Sequence, residues 1–485
     1  MRTFAPSSAL RGALRRPLVG PAPGMLACAL ALSGAALAAD PVGVTVTAVS
    51  LQDQQEAPAA EEAPLALRAK RVLVAPGKVI EDGVVLVKRG RIVAVGADVA
   101  VPEGARVLEG EVVCAGFIDP WSDLGVDAAS MGDGRTDAAT RVTDALDPWG
   151  SAYARREAVA AGVLLTRAQA GTSTELGGIG AVVRNGAEGD DLVLLADANV
   201  AAAVGLAARG RAKDPFDRIG EADKLASKLA GGRDYRADWT EYETKLAEWE
   251  AAIAAKEKDL DKDFKKAQKA RDKDIEDAKK KGEEHKEKEY KEDKRPRAPK
   301  YDEEKEVLAR VVAGELPLVV RCEGSAELRA LLAGTAEFPR LRMWIVGGTG
   351  AELVAQDLAT RHIAVVVQPT PFSELDGERP EGHDLGLAAR LAARGVDVLL
   401  GSGGPSRDLP LMAALAVGHG FDAQVAFHAL TVGAARALDV AGEVGTVEVG
   451  KRAELLLLDG DPLTSAGRVR AAISAGRVVH ETTSR

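Results

Sequence analysis

The sequence predicts an α/β fold in which a closed barrel is flanked by a small β-structure, and three observations lead to this prediction. In the middle of the chain, short β-branched apolar runs alternate with Ala/Leu-rich helical stretches. Short strand patterns also occur at both ends of the chain, and they can pair only if the domain between them brings the ends together. One long, highly charged segment interrupts the alternation.

The N-terminal segment has the composition of a secretion signal. Four arginines precede an apolar run from residue 25 to residue 37, and Ala36-Leu37-Ala38 offers small residues for cleavage. We therefore expect residues 1–39 to be a signal peptide and the mature protein to be periplasmic or secreted. The apolar run is shorter than the ~20 residues that span a bilayer, so no stable membrane span is expected. Residues 40–65 are rich in Ala, Glu, Gln and Pro and are predicted to form a flexible leader.

The net charge and the number of cysteines argue against two classes of protein, general nucleic-acid binders and proteins stabilised by disulfides. Removing the four signal arginines takes the formal net charge of the 485-residue chain from −10 to −14. An acidic protein of this kind has no general nucleic-acid footprint. Cleavage leaves Cys114 and Cys322, which we predict to be buried thiols and not a stabilising disulfide.

The strand patterns divide the chain into domains. Residues 66–113 and 440–485 are predicted to form two small sets of strands that pair with each other, because each contains short β-branched or leucine runs separated by glycine turns. Residues 114–439 are predicted to form the barrel. Its candidate strands are 112–118, 163–166, 316–320, 343–346, 363–367 and 396–400, with helices such as 387–394 between them.

Residues 213–300 are predicted to be a helical insertion in the barrel. Its apolar residues recur at steps of four and three, which is the pattern of a heptad seam: Tyr235, Trp239, Tyr242, Leu246, Trp249 and Ile253. Beyond Ile253 the other positions are almost all charged, until Gly282, Pro296 and Pro299 end the helical pattern. The seam either folds as a coiled coil, onto itself or onto a partner, or belongs to a solvated helix whose few apolar residues dock on the barrel.

Four segments resemble the amidohydrolase superfamily, specifically its imidazolonepropionase-like branch of exported bacterial members. They are 112–119 (VVCAGFID), 161–163 (AGV), 177–183 (GGIGAVV) and 444–455 (VGTVEVGKRAEL). The resemblance implies a (β/α)₈ TIM-like barrel with a β-sandwich built from the two chain ends. Members of the family hydrolyse C–N bonds in amide-like rings, with zinc or another divalent metal at the C-terminal mouth of the barrel.

The resemblance also places the family's metal-ligand positions on residues of this chain. The histidine pair of the first strand falls on Trp121 and Asp123, and the two later histidines fall on Arg321 and Gly347. The essential aspartate falls on Gly403. Indole offers only an N–H donor and guanidinium is a permanent cation, so we expect no bound metal cofactor and no catalytic residue at these positions.

The remaining polar residues near the predicted mouth are candidates for binding a ligand: Asp119, Asp123, Arg321, Glu323 and His383. In one hypothesis, Arg321 supplies fixed positive charge where the family has its metal, and the carboxylates of Asp119, Asp123 and Glu323 pair with it. In the other, the mouth has collapsed around Trp121 and the two glycines.

Three functions remain open on the sequence alone. The first is a catalytically degenerate family member, a pseudoenzyme, that binds a small molecule in the altered mouth or acts as a homo- or hetero-oligomeric subunit beside an active relative. The second is an active hydrolase of amide or cyclic-amide C–N bonds with an atypical metal site that uses Asp123, Glu323 and His383. In the third, the barrel is a scaffold and the helical insertion binds other proteins.

Overall fold

A computed structural model describes most of the chain from residue 63 onward. The described residues are 63–122, 124, 136–147, 149, 151–169, 175–205, 215–281, 294–369, 384–464 and 466–482, with only the helix backbone for 215–219 and 255–281. Two of the candidate ligand-binding residues, Asp123 and His383, lie outside them, as do the predicted signal peptide and nearly all of the predicted leader.

The two ends of the chain meet in one seven-stranded sheet. Its strands are β1 (Leu65–Ala75), β2 (Lys78–Lys88), β3 (Arg91–Gly96), β4 (Arg106–Ala115), β13 (Leu455–Leu458), β14 (Val469–Ser474) and β15 (Arg477–Glu481), in the order β15-β14-β13-β4-β1-β2-β3. The junction is the antiparallel pair β4–β13, in which Cys114 lies opposite Leu456. The predicted pairing of the two chain ends is confirmed.

The barrel is a second, eight-stranded sheet. Its strands are β5 (Phe117–Asp119), β6 (Val163–Ala168), β7 (Leu176–Arg184), β8 (Val193–Ala203), β9 (Leu318–Cys322), β10 (Met343–Gly347), β11 (Ala364–Val367) and β12 (Val398–Leu400), paired in chain order. Neighbouring strands are parallel except at β7, which runs antiparallel to both β6 and β8. The TIM-like barrel is confirmed, with one reversed strand. The predicted strand 112–118 is divided at Gly116 between the two sheets.

Helices cover the outside of the barrel and leave a separate core inside it. They are α1 (Ala152–Ala160), α2 (Pro215–Lys281), α3 (Glu303–Val312), α4 (Ser325–Gly334), α5 (Ala355–Thr360), α6 (Leu387–Ala393), α7 (Leu409–Gly418), α8 (Ala423–Leu430) and α9 (Val432–Ala437). The largest apolar core lies between strands and helices and includes Cys322, a free buried thiol. A smaller core inside the barrel contains Ile118, Leu165, Trp344 and Val366. None of the helices in the described part of the chain is long and apolar enough to cross a membrane.

The insertion is one continuous helix, α2, whose first part is docked on the barrel. Leu225 and Leu229 are completely buried, and α2 packs against α3 and α4. A Cβ on Gly232 would lie 2.8 Å from the backbone nitrogen of Ala309, so a glycine lets α2 approach α3 closely. Farther along, Leu246 is only half-buried. The part of α2 that contains Leu225 and Leu229 is therefore docked on the barrel, as the second alternative predicts. A coiled coil formed by the rest of the helix stays a prediction.

Candidate functional site

The centre of the barrel mouth holds two arginines stacked on two tryptophans. The guanidinium carbon of Arg321, on β9, lies 5.4 Å from the ring centroid of Trp121, which follows β5. That of Arg167, on β6, lies 5.2 Å from the ring of Trp344, on β10. Both indoles are buried. A guanidinium over an aromatic face is stabilised by about 0.5–1 kcal/mol at an exposed site and by about 2 kcal/mol or more when desolvated, so these pairs favour positive charge inside the barrel.

Arg167 is a residue that the sequence analysis missed. Its Nε donates to the carbonyl oxygen of Pro120 at 2.7 Å and its Nη1 to Oε1 of Gln169 at 2.8 Å. Burial lowers the pKa of Arg167 to about 10, and the charge of Asp119 opposes this shift, so the guanidinium is still protonated at neutral pH. One feature of the sequence could have indicated this role. Arg167 and Gln169 are two residues apart at the end of a mostly apolar strand, so their side chains lie on the same face of it.

Asp119 connects the first and last strands of the barrel. Its carboxylate accepts hydrogen bonds from the backbone N–H of Trp121 and of Ser402, each at 3.1 Å, and from Ser406 Oγ at 2.8 Å. Among the described residues, its hydrogen bonds do not go to Arg321. Burial raises the pKa of Asp119 to about 6, although hydrogen bonds from Ser402 and Ser406 act in the opposite direction. The fully buried carboxylate thus stabilises the seam between β5 and β12.

The side-chain space at Gly347 is filled by a neighbour. Gly347 ends β10 with a φ of +95°, and a Cβ there would overlap the carboxylate of Glu323, which follows β9. Glu323 is 5% exposed, and its Oε2 accepts from the backbone N–H of Thr349 at 3.3 Å. The candidate residue Glu323 therefore occupies the position where the resemblance places a histidine.

The same arrangement occurs at Gly403, beyond the end of β12. Its φ is +64°, and a Cβ would overlap the carboxamide of Gln368, which follows β11. Gln368 Nε2 donates to the carbonyl oxygen of Ser402 at 2.8 Å. Gln368 is a second residue that the sequence analysis missed, since nothing in the sequence alone brings it to Gly403.

Among the described residues, little space remains between the stacked arginines and tryptophans. A cavity of about 10 Å³, measured as the volume open to the centre of a water molecule, lies between Trp121, Arg167, Gln169 and Arg321. Its other walls are alanines and valines of β8, β9 and β10. A volume of this size holds about one water molecule. The cavity is therefore too small for an amide substrate.

Residues 270–479 match the model of the amidohydrolase family. Among solved structures, an amidohydrolase from Thermotoga maritima superposes with a TM-score of 0.63 at 21% sequence identity, covering 86% of this chain and all of that one. A putative prolidase from Bifidobacterium longum gives a TM-score of 0.48 at 14% identity, over 86% and 94% of the two chains. No curated protein sequence matches the chain significantly.

Among the described residues, those at the positions that resemble the family's ligands do not fit a divalent metal. The indole of Trp121 has no lone pair to donate, and the guanidinium of Arg321 would repel a cation. At Gly347 and Gly403 the ligand space is filled by Glu323 and Gln368. Within the described ranges, no group of three His, Cys, Asp or Glu residues is placed to hold a metal ion.

Proposed function

We propose that this chain is an exported amidohydrolase-superfamily protein without metal-dependent hydrolase activity, which acts as a binding or partner protein. The observation that carries the proposal is that two neighbouring side chains take up the space of two family ligands. Glu323 fills the position beside Gly347, and Gln368 fills the position beside Gly403. A metal site would have to displace both, as well as the stacked pair of Trp121 and Arg321.

A specific observation favours a second candidate, an active hydrolase with an atypical metal site. The Glu323 carboxylate lies at a ligand position of the family and could itself ligate a cation if Asp123 and His383 completed the set. Carboxylate and imidazole are both ordinary ligands of zinc and manganese.

Hydrolysis assays separate these two candidates. The mature protein is incubated with zinc or manganese and with a panel of N-acyl amino acids, dipeptides and cyclic amides. We expect no turnover above that of the metal alone. Turnover that is lost in the variant Asp123→Asn/Glu323→Gln/His383→Asn would establish the second candidate and contradict the first. The matched control is Glu157→Gln, which changes a half-exposed carboxylate on α1.

The cellular location is part of the same proposal. It is supported by the arginines and the apolar run of the first 39 residues. Fractionation of the cells that produce the protein, combined with N-terminal sequencing, tests it. We expect an extracytoplasmic protein that starts near Ala39 or Asp40, and a cytoplasmic protein that retains residue 1 would contradict this.

A further inference from the structure

We propose that residues 294–300, the segment that leads into α3, bind a linear acidic polysaccharide through an ordered row of basic side chains. The sequence of this segment is KRPRAPK. None of its residues belongs to the candidate site at the barrel mouth. The proposal therefore does not rest on the proposed function, and it holds whether or not the chain catalyses a reaction.

Two prolines restrict the backbone of this segment. Proline fixes its own φ at about −65° and limits the residue before it to extended conformations, which applies here at Pro296 and Pro299. The segment forms neither a helix nor a strand, and its burial repeats every three residues. Pro296 and Pro299 are half-buried, and the residues between and beside them are exposed. A period of three is that of a polyproline II helix, whose proline edge here faces the protein.

The C-terminal end of the segment is attached to two helices. Asp302 caps the N-terminus of α3, where its side chain accepts from the backbone N–H of Lys305 at 3.1 Å. The backbone N–H of Asp302 donates to the hydroxyl oxygen of Tyr235, a buried residue of α2, at 3.5 Å. These contacts and the half-buried prolines hold the segment against the protein, so its exposed side chains keep a fixed order.

Basic side chains occupy an outer edge of the segment. With three residues per turn and a rise of about 3.1 Å per residue, Lys294, Arg297 and Lys300 share one edge at intervals of about 9 Å. All three, the basic row, are exposed. Among the described residues neither they nor Arg295 form an ion pair, whereas Arg233 on neighbouring α2 pairs with a glutamate. A chain of formal net charge −10 thus presents a local row of positive charge to a partner.

The surroundings of the basic row favour a linear partner over a flat one. Exposed carboxylates flank it, Glu303 at the start of α3 and Asp238 one turn after Tyr235 on α2. An anionic membrane would approach these acids as closely as it approaches the row, and like charges repel. A single polymer chain can lie along the row without contacting them.

Charge spacing distinguishes between linear polyanions. One strand of a nucleic acid carries a phosphate about every 3.4 Å along the helix axis, far more densely than the basic row carries cations. A polysaccharide with one carboxylate per disaccharide has its charges at an interval similar to that of the row. Tyr301, which follows Lys300 and is 60% exposed, offers an apolar ring face to a sugar.

Surface plasmon resonance on immobilised hyaluronan, which carries one carboxylate per disaccharide, tests the proposal. We expect saturable binding of the purified protein at low ionic strength that weakens as salt is added, because exposed charge pairs are screened. Amylose, a neutral polysaccharide, should not bind. Failure of hyaluronan to bind, or equal binding to amylose, would overturn the proposal.

Two variants with the same change in charge locate the contact. Lys294→Gln/Arg297→Gln/Lys300→Gln should weaken hyaluronan binding by about tenfold or more, since it removes three exposed charge pairs with the polymer. The control replaces three exposed basic residues outside the segment by glutamine, namely Lys224, Arg329 and Arg340. It should bind almost as well as the unmodified protein. Equal losses in the two variants would show attraction to the whole molecule and contradict the assignment.

The order of the row is tested without changing any charge. Pro296→Ala/Pro299→Ala keeps all four basic side chains but releases the backbone, so binding should become several-fold weaker because the segment must then be ordered on binding. Unchanged affinity would contradict a row with fixed spacing.

Vesicles of phosphatidylcholine and phosphatidylglycerol separate a polysaccharide from a membrane. We expect the unmodified protein to stay in the supernatant when these vesicles are sedimented at low ionic strength. Co-sedimentation that is lost in the variant without the basic row would make a membrane the partner and overturn the proposal.

Discussion

Gly347 and Gly403 show how single residues determine what the barrel mouth can hold. Both have positive φ, and at both a Cβ would overlap a side chain from the preceding strand, Glu323 in one case and Gln368 in the other. Restoring a ligand at either position would therefore require the neighbour to move. At each of these two positions, glycine provides no ligand group, and a neighbouring side chain occupies the space that a ligand side chain would need.

Gly403→Asp should destabilise the protein without creating a metal site. Overlap with Gln368 predicts a loss of about 1–3 kcal/mol in the free energy of unfolding, measured by urea denaturation. The control is Gly404→Asp, because a Cβ at half-buried Gly404 has no atom within 4 Å, and its loss should be much smaller. Adding Gln368→Ala should recover part of the loss at Gly403. Equal effects at the two glycines would show that Gln368 does not fill the space.

Asp119 should make stability depend on pH. Its pKa in the folded protein is raised to about 6 by burial, whereas an unfolded chain titrates near its usual value of about 4. The folded state therefore binds the proton more tightly, so this contribution to stability is fully present below pH ~4 and is lost as the pH rises towards ~6.

The variant Asp119→Asn isolates this contribution. Its free energy of unfolding should fall less between pH 4 and pH 6 than that of the unmodified protein, in urea titrations at several pH values. Glu454, whose pKa burial raises to about 7, contributes a fall of the same sign in both proteins and cancels in the difference. Identical slopes would mean that Asp119 titrates normally in the folded protein.

At the residue scale, the sequence predicted which groups are missing from the mouth but not which groups fill it. Trp121 and Arg321 could be assigned because they lie inside segments that resemble family motifs. Arg167 and Gln368 lie outside those motifs, and their roles depend on contacts between strands that are distant in the sequence. Only the folded barrel brings them to the site.

At the scale of elements, the strands that were predicted are those rich in β-branched residues. β10 and β11 begin and end within one residue of the predicted ranges. β8 was missed because its second half is mostly alanine, and β7 was recognised only as a glycine-rich run. Neither alanine nor glycine has a strong preference for strands. The reversed direction of β7 has no signature in its composition.

Helix α2 has a buried part and a more exposed part, and the pattern of charged residues in the sequence did not show where one ends and the other begins. Its start is part of the core of the protein, whereas the seam beyond Tyr235 is only half-buried. A heptad pattern therefore continues from a docked segment into a more exposed one.

Two leucine substitutions in α2 test this division. Leu225→Ala should lower the free energy of unfolding by about 2–5 kcal/mol, because it leaves a cavity at a fully buried position. Leu246→Ala, the same change at a half-buried position, should cost much less. Unfolding is followed by circular dichroism in urea at protein concentrations low enough to exclude self-association. Equal costs would mean that the seam near Leu246 is packed as tightly as the core.

For the molecule as a whole, sequence and structure agree on architecture. Pairing of β4 with β13 closes the chain on itself, and the barrel between them places β5, β6, β9 and β10 with their ends at one mouth. This architecture is similar to that of a solved amidohydrolase, whereas the residues at the positions that resemble the family's ligands differ from those ligands. Its described residues place guanidinium charge stacked on indole rings, and the cavity between Trp121, Arg167, Gln169 and Arg321 has about the volume of one water molecule.

Elemental analysis of the purified mature protein tests the central claim that this mouth does not hold a divalent metal. The protein is produced with zinc and manganese in the medium, exchanged into metal-free buffer, and measured by mass spectrometry together with Glu323→Gln. The account predicts far less than one equivalent of any divalent metal in both proteins. Close to one equivalent in the unmodified protein, reduced in Glu323→Gln, would contradict it.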